Sequence, residues 1–234
     1  FKDLLVVEQN NQYGVIQAST GKSVLESKYD EIKYISSTSE FLVKSNNKYG
    51  IISENAEIKI KIVYDEIKSI DSQKGLYLVK TNGVYGVIDN DENKVIDMEY
   101  NQIGIPNYSS FAKNGVENQY IILDELIPVK KNNLWGFFNV EGEKITDRKY
   151  AEIGCKESKE GNSYPGLIIP SYKAVVVGNE KKYNIIGLDG IEKAPANVIE
   201  SIYLKNDVTT GKNTFYMTYN NKVGNVEEWL SSIQ

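Results

Sequence analysis

The chain has 234 residues, a formal net charge of −5, no histidine and one cysteine. That charge argues against a nucleic-acid partner, which would require a basic face. The missing histidine removes Ser-His-Asp and Cys-His catalysis and most catalytic zinc sites, and the lone Cys155 has no partner for an intrachain disulfide and reads as a structural or incidental thiol.

Seventeen tyrosines and only five prolines favour pleated, uninterrupted strands. The first mark along the chain is an aromatic-Gly pair at Tyr13-Gly14, Tyr49-Gly50, Tyr85-Gly86 and Trp135-Gly136. Worn copies stand at Tyr183-Asn184 and Val223-Gly224. The first three pairs are 36 residues apart, and the later intervals are longer. A second mark, Tyr-x-x-Ile, opens with Tyr29, Tyr64, Tyr100 and Tyr150, and Ile199 takes that place in the fifth copy. It trails the aromatic by 15 or 16 residues each time. A third mark precedes the aromatic: Asn10-Asn11, Asn46-Asn47, Asn82-Gly83, Asn132-Asn133 and Asn220-Asn221, with Asn179-Glu180 in the fifth copy. Such dipeptides between apolar runs specify two-residue type I′ hairpins, whose central residues need positive φ. A further turn follows each aromatic-Gly strand, at Thr20-Gly21, Asn55-Ala56, Asp91 to Asn93, Glu141-Gly142 and Asp189-Gly190.

One copy therefore reads as three antiparallel strands, with the Tyr-x-x-Ile piece leading to the next. A meander that small needs its apolar face covered, and stacking of copies would cover it. The expected fold is all-β: about five such units plus a partial sixth in one domain over 1–234, at roughly 1–36, 37–72, 73–125, 126–172, 173–212 and 213–234. An elongated superhelical stack is preferred, because 36 residues are short for a four-stranded blade; a closed propeller-like ring is the alternative.

The pattern resembles the WG repeat family, named for its Trp-Gly pair. Trp135-Gly136-Phe137-Phe138-Asn139-Val140-Glu141-Gly142, followed by Ile145 and Tyr150, is the closest copy, with Asn139 where that family favours Asp. Copies one to three carry Tyr for Trp, and the fifth departs at Asn184 and Ile199. The resemblance implies a bacterial repeat protein, often exported or surface-attached, with no shared activity.

Two insertions break the rhythm, at 104–125 and 155–172. Insertions in repeat proteins map to loops on one face, often the binding face; the alternative is an extra hairpin or a covering flap. Their aromatic residues Tyr108, Phe111, Tyr120, Tyr164 and Tyr172 are the candidate ligand contacts. At the C-terminus Asn225 is an N-cap with Glu228 three residues on, and Trp229, Leu230 and Ile233 form the apolar side of a short capping helix.

Other chemistry is weaker. Gly21-Lys22-Ser23 matches only the tail of a phosphate loop, with Ile16 where its first Gly belongs. Asp89 to Asn93 resembles the start of a calcium loop, but Lys94 holds the Gly position and Tyr100 the Glu position, so a polar turn is preferred. Asp30-Glu31 and Asp65-Glu66 recur with the repeat, as scaffold residues do. The aromatics Tyr13, Tyr49, Tyr85 and Trp135 read as packing between units, or else as a ladder for sugars or peptides.

No catalytic residue, metal or cofactor is assigned. The functional expectation is a non-catalytic module engaging a protein or cell-wall glycan at the cell surface or outside the cell, with no membrane-spanning segment. A signal or anchor is expected to be missing from this sequence, which starts at Phe1. A cytoplasmic location, a glycan hydrolase using a carboxylate pair and a structural spacer are the alternatives.

Overall fold

The computed structural model describes residues 3–106, 119–154, 163–165, 168–179, 182–195 and 198–233, without the side chains of 106, 119, 120, 163–165 and 170. These residues form two compact units, 1–100 and 101–234.

The first unit holds β1 (Leu4–Gln9), β2 (Gln12–Gln17), β3 (Ser23–Tyr29), β4 (Glu31–Ile35), β5 (Glu40–Ser45), β6 (Lys48–Ser53), β7 (Ile58–Tyr64), β8 (Glu66–Asp71), β9 (Leu76–Thr81), β10 (Val84–Ile88) and β11 (Lys94–Tyr100). They make three antiparallel sheets, β1-β2-β3, β4-β5-β6-β7 and β8-β9-β10-β11. Each three-stranded meander is present, and the second and third sheets each gain a strand. That strand is the Tyr-x-x-Ile piece, expected to be a connector: Ile32 lies opposite Val43 in β5, and Ile67 opposite Val79 in β9. A 36-residue copy thus does hold four strands, because its first turn uses only two residues and its strands are five to seven residues long.

The marks of the repeat meet in space. Tyr13 pairs with Tyr29, Tyr49 with Tyr64 and Tyr85 with Tyr100 across the second and third strands of their meanders. This register fixes the 15- or 16-residue offset. Just past each pair the register shifts: Val15 faces Leu25, Ile51 faces Ile60 and Val87 faces Ile96. The third strand therefore bulges over the glycine, and a bulge re-aims and twists its strand. A Cβ on Gly50 would lie 2.7 Å from the Ile60 carbonyl oxygen and 2.9 Å from Ile62 Cα. The hairpin dipeptides have positive φ throughout, 54° and 61° at Asn10 and Asn11, 53° and 61° at Asn46 and Asn47, and 49° and 82° at Asn82 and Gly83.

The aspartate after the late tyrosine reaches into the next copy. The Asn46 N–H donates to Asp30 Oδ2 and the Asn82 N–H to Asp65 Oδ2, each at 2.8 Å. The backbone N–H groups of Asp30 and Asp65 donate to the Lys44 and Lys80 carbonyls. One residue thus holds both the turn and the first strand of its successor. The middle sheet is buried on both faces. Phe41, Val43 and Ile52 join Val15, Leu25 and Tyr29 in one core, while Ile51 and Ile60 join Ile67, Tyr77, Val79 and Ile88 in the other.

The second unit holds β12 (Gln102–Ile103), β13 (Ile105–Pro106), β14 (Gln119–Tyr120), β15 (Leu126–Lys131), β16 (Leu134–Asn139), β17 (Lys144–Tyr150), β18 (Glu152–Ile153), β19 (Ser163–Pro165), β20 (Ile168–Ile169), β21 (Ala174–Asn179), β22 (Lys182–Gly187), β23 (Ile199–Asp207), β24 (Lys212–Tyr219), β25 (Lys222–Asn225) and the helix α1 (Val226–Ile233). The sheet β12-β15-β16-β17 repeats the plan, with Trp135 opposite Tyr150 and the Asn132 N–H donating to Asn101 Oδ1. In the fifth copy Tyr183 pairs with Ile199, but β23 runs on without the usual break. Glu200 lies at a register shift between Ile199 and Ser201, and β23 pairs onward with β24. The result is one eight-stranded sheet, β18-β21-β22-β23-β24-β25 with β19 added on β23 and β20 on β21. Helix α1 caps it: the Glu227 and Glu228 N–H groups donate to Asn225 Oδ1, and Val226 and Leu230 are buried in the core of that sheet. Trp229 flanks Tyr219, while Ile233 is largely exposed.

Gly50→Ala is expected to lower stability by about 1–3 kcal/mol in urea unfolding, because the bulged strand must retreat. Gly224→Ala should stay within about 0.5 kcal/mol of the parent, since open space surrounds that position.

Candidate functional site

The second unit gathers most departures from the repeat. In the first insertion, Ile105 and Pro106 of β13 pair with Tyr120 and Gln119 of β14. Tyr120 therefore sits in a hairpin stem, while Tyr108 and Phe111 lie outside the described residues. In the second insertion, β19 sets Tyr164 opposite Leu204 of β23, alongside the part of β23 that β22 does not reach. Cys155 lies outside the described residues. Tyr172 closes the insertion in a short 3-10 turn. Its hydroxyl donates to the Glu227 carbonyl at 2.8 Å and shares a hydrogen bond with Ser231 Oγ, which ties α1 to the sheet.

Beside this tie lies a groove of about 490 Å³, lined by Tyr172, Lys173, Leu188, Lys193, Leu230 and Ile233. The volume is within the range of small-molecule or side-chain pockets, and an apolar floor with a few charged groups suits a ligand of mixed polarity. Its rim carries both signs of charge, Lys173 and Lys193 beside the Asp189 carboxylate, which also lines the groove. A second feature is the exposed face of β23 and β24. Tyr203 and Tyr216 are cross-strand partners, stacked at 6.0 Å and 17°, with Lys205 Nζ within 5.8 Å of both ring centres.

The repeat-locked groups are otherwise engaged. Lys44, Lys80 and Lys130 each lie over the ring of their cross-strand partner, Tyr49, Tyr85 and Trp135, at 5.4, 4.8 and 5.2 Å. Asp65 also pairs with Lys48, and hydrogen bonds from that lysine and from Asn82 hold its carboxyl below the usual range. Asp89 Oδ1 accepts the N–H groups of Asp91 and Asn93, so its carboxylate closes its own turn. Asn139 does the same for Glu141 and Glu143, and Asp189 for Ile191. Gly21 is a turn residue with φ of 70°. Among the described residues no group of three or more His, Cys, Asp or Glu is placed to hold a metal.

Two carboxylates bridge strands, Glu40 buried and Glu192 half-buried. Glu40, 1 % exposed, accepts a hydrogen bond from Tyr77 Oη at 2.7 Å and pairs with Lys59 at 2.6 Å. Burial, and then Glu40, push the Tyr77 phenol well up. Glu192 accepts from Lys149 at 2.7 Å, Tyr150 at 3.0 Å and Asn184 at 2.9 Å. Burial works to raise the Glu192 carboxyl, but hydrogen bonds from Lys149, Tyr150 and Asn184 outweigh it and hold the group below its usual value. Asn184 replaces the repeat glycine, and its side chain also bonds the Ala194 N–H and carbonyl, taking the place of a strand partner. The sequence reading missed this network. The worn Tyr183-Asn184 copy marks it, but the 8-residue reach to Glu192 crosses a turn that no repeat template describes.

The WG containing repeat model matches two adjacent stretches of this chain, residues 49–85 and 85–120. No curated protein matches by sequence. Among solved structures, a eukaryotic initiation factor is similar at 10% identity and a TM-score of 0.41, over 94% of this chain and 61% of that one. Kluyveromyces lactis Hsv2p is similar at 10% identity and a TM-score of 0.37, over 96% and 71%. A chain of the crystal structure of BBS1N in complex with ARL6DN gives 13% identity and a TM-score of 0.29, over 95% and 73%. The chain spans about three fifths of the length of the first of these. In the described residues no helix is long and apolar enough to cross a membrane.

Tyr172→Phe should cost about 0.5–1.5 kcal/mol in urea unfolding, the worth of the lost hydrogen bond to α1. The Glu192 network adds a pH dependence. A carboxyl whose folded value is depressed contributes stability above its unfolded value and loses it as pH falls through the folded one. Stability of the parent should therefore fall on acidification below the ordinary carboxylate range, and Glu192→Gln should be less stable at pH 7 with a flatter acid limb. Urea midpoints across that range measure both.

Proposed function

We propose that this chain is a non-catalytic interaction module of an exported or surface-attached bacterial protein, and that it engages a protein or a cell-wall glycan. The contacts lie on the second unit, through Tyr108, Phe111, Tyr120, Tyr164 and Tyr172. One observation carries this reading. The charged and aromatic residues that recur with the repeat are taken up by turns and cross-strand pairs, whereas the inserted segment that ends at Tyr172 adjoins a ligand-sized groove. A binding face built on insertions, held by a rigid repeat scaffold, follows the usual division of labour in such proteins. The bacterial and surface assignments rest on the resemblance to the WG repeat family.

The test is a binding screen of the chain against cell-wall preparations, a glycan array and a pull-down from the same cells. The parent should bind one of these saturably. A variant with Tyr108, Phe111, Tyr120 and Tyr164 changed to Ala and Tyr172 to Phe should bind about tenfold more weakly or worse, the loss expected for removing central aromatic contacts. Equal binding by the variant would sink the site assignment. Release of new reducing ends from a bound glycan would overturn the non-catalytic reading.

A further inference from the structure

Asn184 is the residue that breaks the repeat. Gly14, Gly50, Gly86 and Gly136 hold that place in the earlier copies and bring no side chain to it. Asn184 is buried, and both ends of its carboxamide are held. Its Oδ1 accepts the N–H groups of Ile185 at 2.8 Å and Ala194 at 3.1 Å. Its Nδ2 donates to Glu192 Oε2 at 2.9 Å and to the Ala194 carbonyl at 3.0 Å. The other oxygen of Glu192, Oε1, accepts from Lys149 Nζ at 2.7 Å and from Tyr150 Oη at 3.0 Å. One carboxylate thus carries an amine on one oxygen and an amide nitrogen on the other.

Acyl transfer from a side-chain amide needs these groups in this order. A lysine amine is a nucleophile once it has lost its proton. The carboxylate lies between the attacking and the leaving nitrogen, where it can move protons from the first to the second. Two backbone N–H groups on the amide oxygen polarise the carbonyl and hold the oxyanion that attack would form. Burial acts to raise the Glu192 carboxyl, but hydrogen bonds from Lys149, Tyr150 and Asn184 hold it below its usual value, so at neutral pH it is in the form that accepts a proton. The Lys149 side chain is half-exposed, so its nitrogen can swing from Oε1 to the amide carbon without disturbing a core. Beside the group lies a recess of about 40 Å³, lined by Tyr150, Asn179, Lys182, Tyr183, Asn184 and Glu192. It has room for a molecule the size of water or ammonia.

Other lysines lack part of this arrangement. Glu92, like Glu192, stands three residues after a turn aspartate, and it pairs with Lys61 at 2.8 Å. That copy has Gly86 where Asn184 stands, so lysine and carboxylate meet there without an amide. Lys182, at the same recess, pairs with Glu200 at 3.6 Å.

We propose that Lys149 and Asn184 join in an isopeptide bond, a covalent staple between the fourth and fifth copies. Glu192 takes one proton from the Lys149 ammonium, and the amine attacks Asn184 Cγ. Glu192 passes that proton to Nδ2 and takes a second from the attacking nitrogen. The Nζ–Cγ bond is made, the Cγ–Nδ2 bond breaks, and ammonia departs with the second proton as ammonium, leaving Glu192 a carboxylate. Nothing is oxidised or reduced. The bond forms once and turns over no substrate, so it stands apart from the binding function proposed above, and either can fail without the other.

The test is the intact mass of the purified chain after incubation at neutral pH, followed by tryptic mapping. The parent should be lighter than its sequence by one ammonia, and trypsin should release a branched peptide joining residues 149–156 to residues 183–193. Lys149→Arg keeps the charge beside Glu192 but offers no neutral amine, so it should fold and keep its full mass. Glu192→Gln, which cannot carry the protons, should also keep its full mass. Mass reads a covalent change that a merely structural network would not produce. A parent at full mass overturns the proposal. So does an ammonia loss that maps elsewhere, as a ring closure at Asn82-Gly83 or a link to Lys182, or one that persists in Lys149→Arg. A folded Glu192→Gln chain that cross-links as fully as the parent would overturn the role given to that carboxylate.

Discussion

The pairing of each repeat aromatic with the late tyrosine of its own copy, across a strand that bulges over glycine, is the constraint from which the rest follows. It sets the register of the second and third strands, and with it which side chains enter which core. A one-residue slip would send every apolar side chain to the opposite face. Here both faces of the middle sheet are buried, so a slip would exchange the contents of two cores at once. The glycine makes the pairing possible by leaving room for the bulged backbone. The bulge in turn lets the chain reach the tyrosine, and the next residue turns it toward the following sheet.

That next residue joins local structure to assembly. Asp30 and Asp65 cap a hairpin in the copy that follows and pair with its first strand through their backbones. Consecutive sheets are thereby linked by hydrogen bonds as well as by apolar packing. Where the aspartate is lost, the linkage changes form. At Ala151 the direction reverses, and its N–H donates to Asn179 Oδ1 from the next hairpin. At Glu200 there is no turn, the strand continues, and two copies fuse into one wide sheet. The departures are thus graded: each lost mark removes one device, and another contact replaces it.

Much of this was legible beforehand, for a physical reason. Asn-Asn and Asn-Gly turns, alternating apolar strands and fixed offsets are local signals, and local signals repeated along a chain reinforce one another. The fourth strand was missed because Tyr-Asp-Glu-Ile is short and its partner lies in the next copy, so no hairpin signal marks it. The network of Glu192, Tyr150, Lys149 and Asn184 was missed because it joins two copies, one of them worn, through residues 8 to 43 positions apart. The groove beside Tyr172 depends on how the last helix docks, and the Tyr172–Glu227 contact that fixes this spans 55 residues. The helix itself, with Asn225 as its cap, was visible because capping is local.

The most direct test is a double-mutant cycle on Tyr49 and Tyr64, each replaced by Ala singly and together, with stability read by urea unfolding. Cross-strand partners at the centre of the repeat should be coupled by about 0.2–1 kcal/mol, so that the double variant loses less than the two single losses combined. Strict additivity would mean that the two signatures keep their spacing for some other reason, and would contradict the pairing on which this architecture rests.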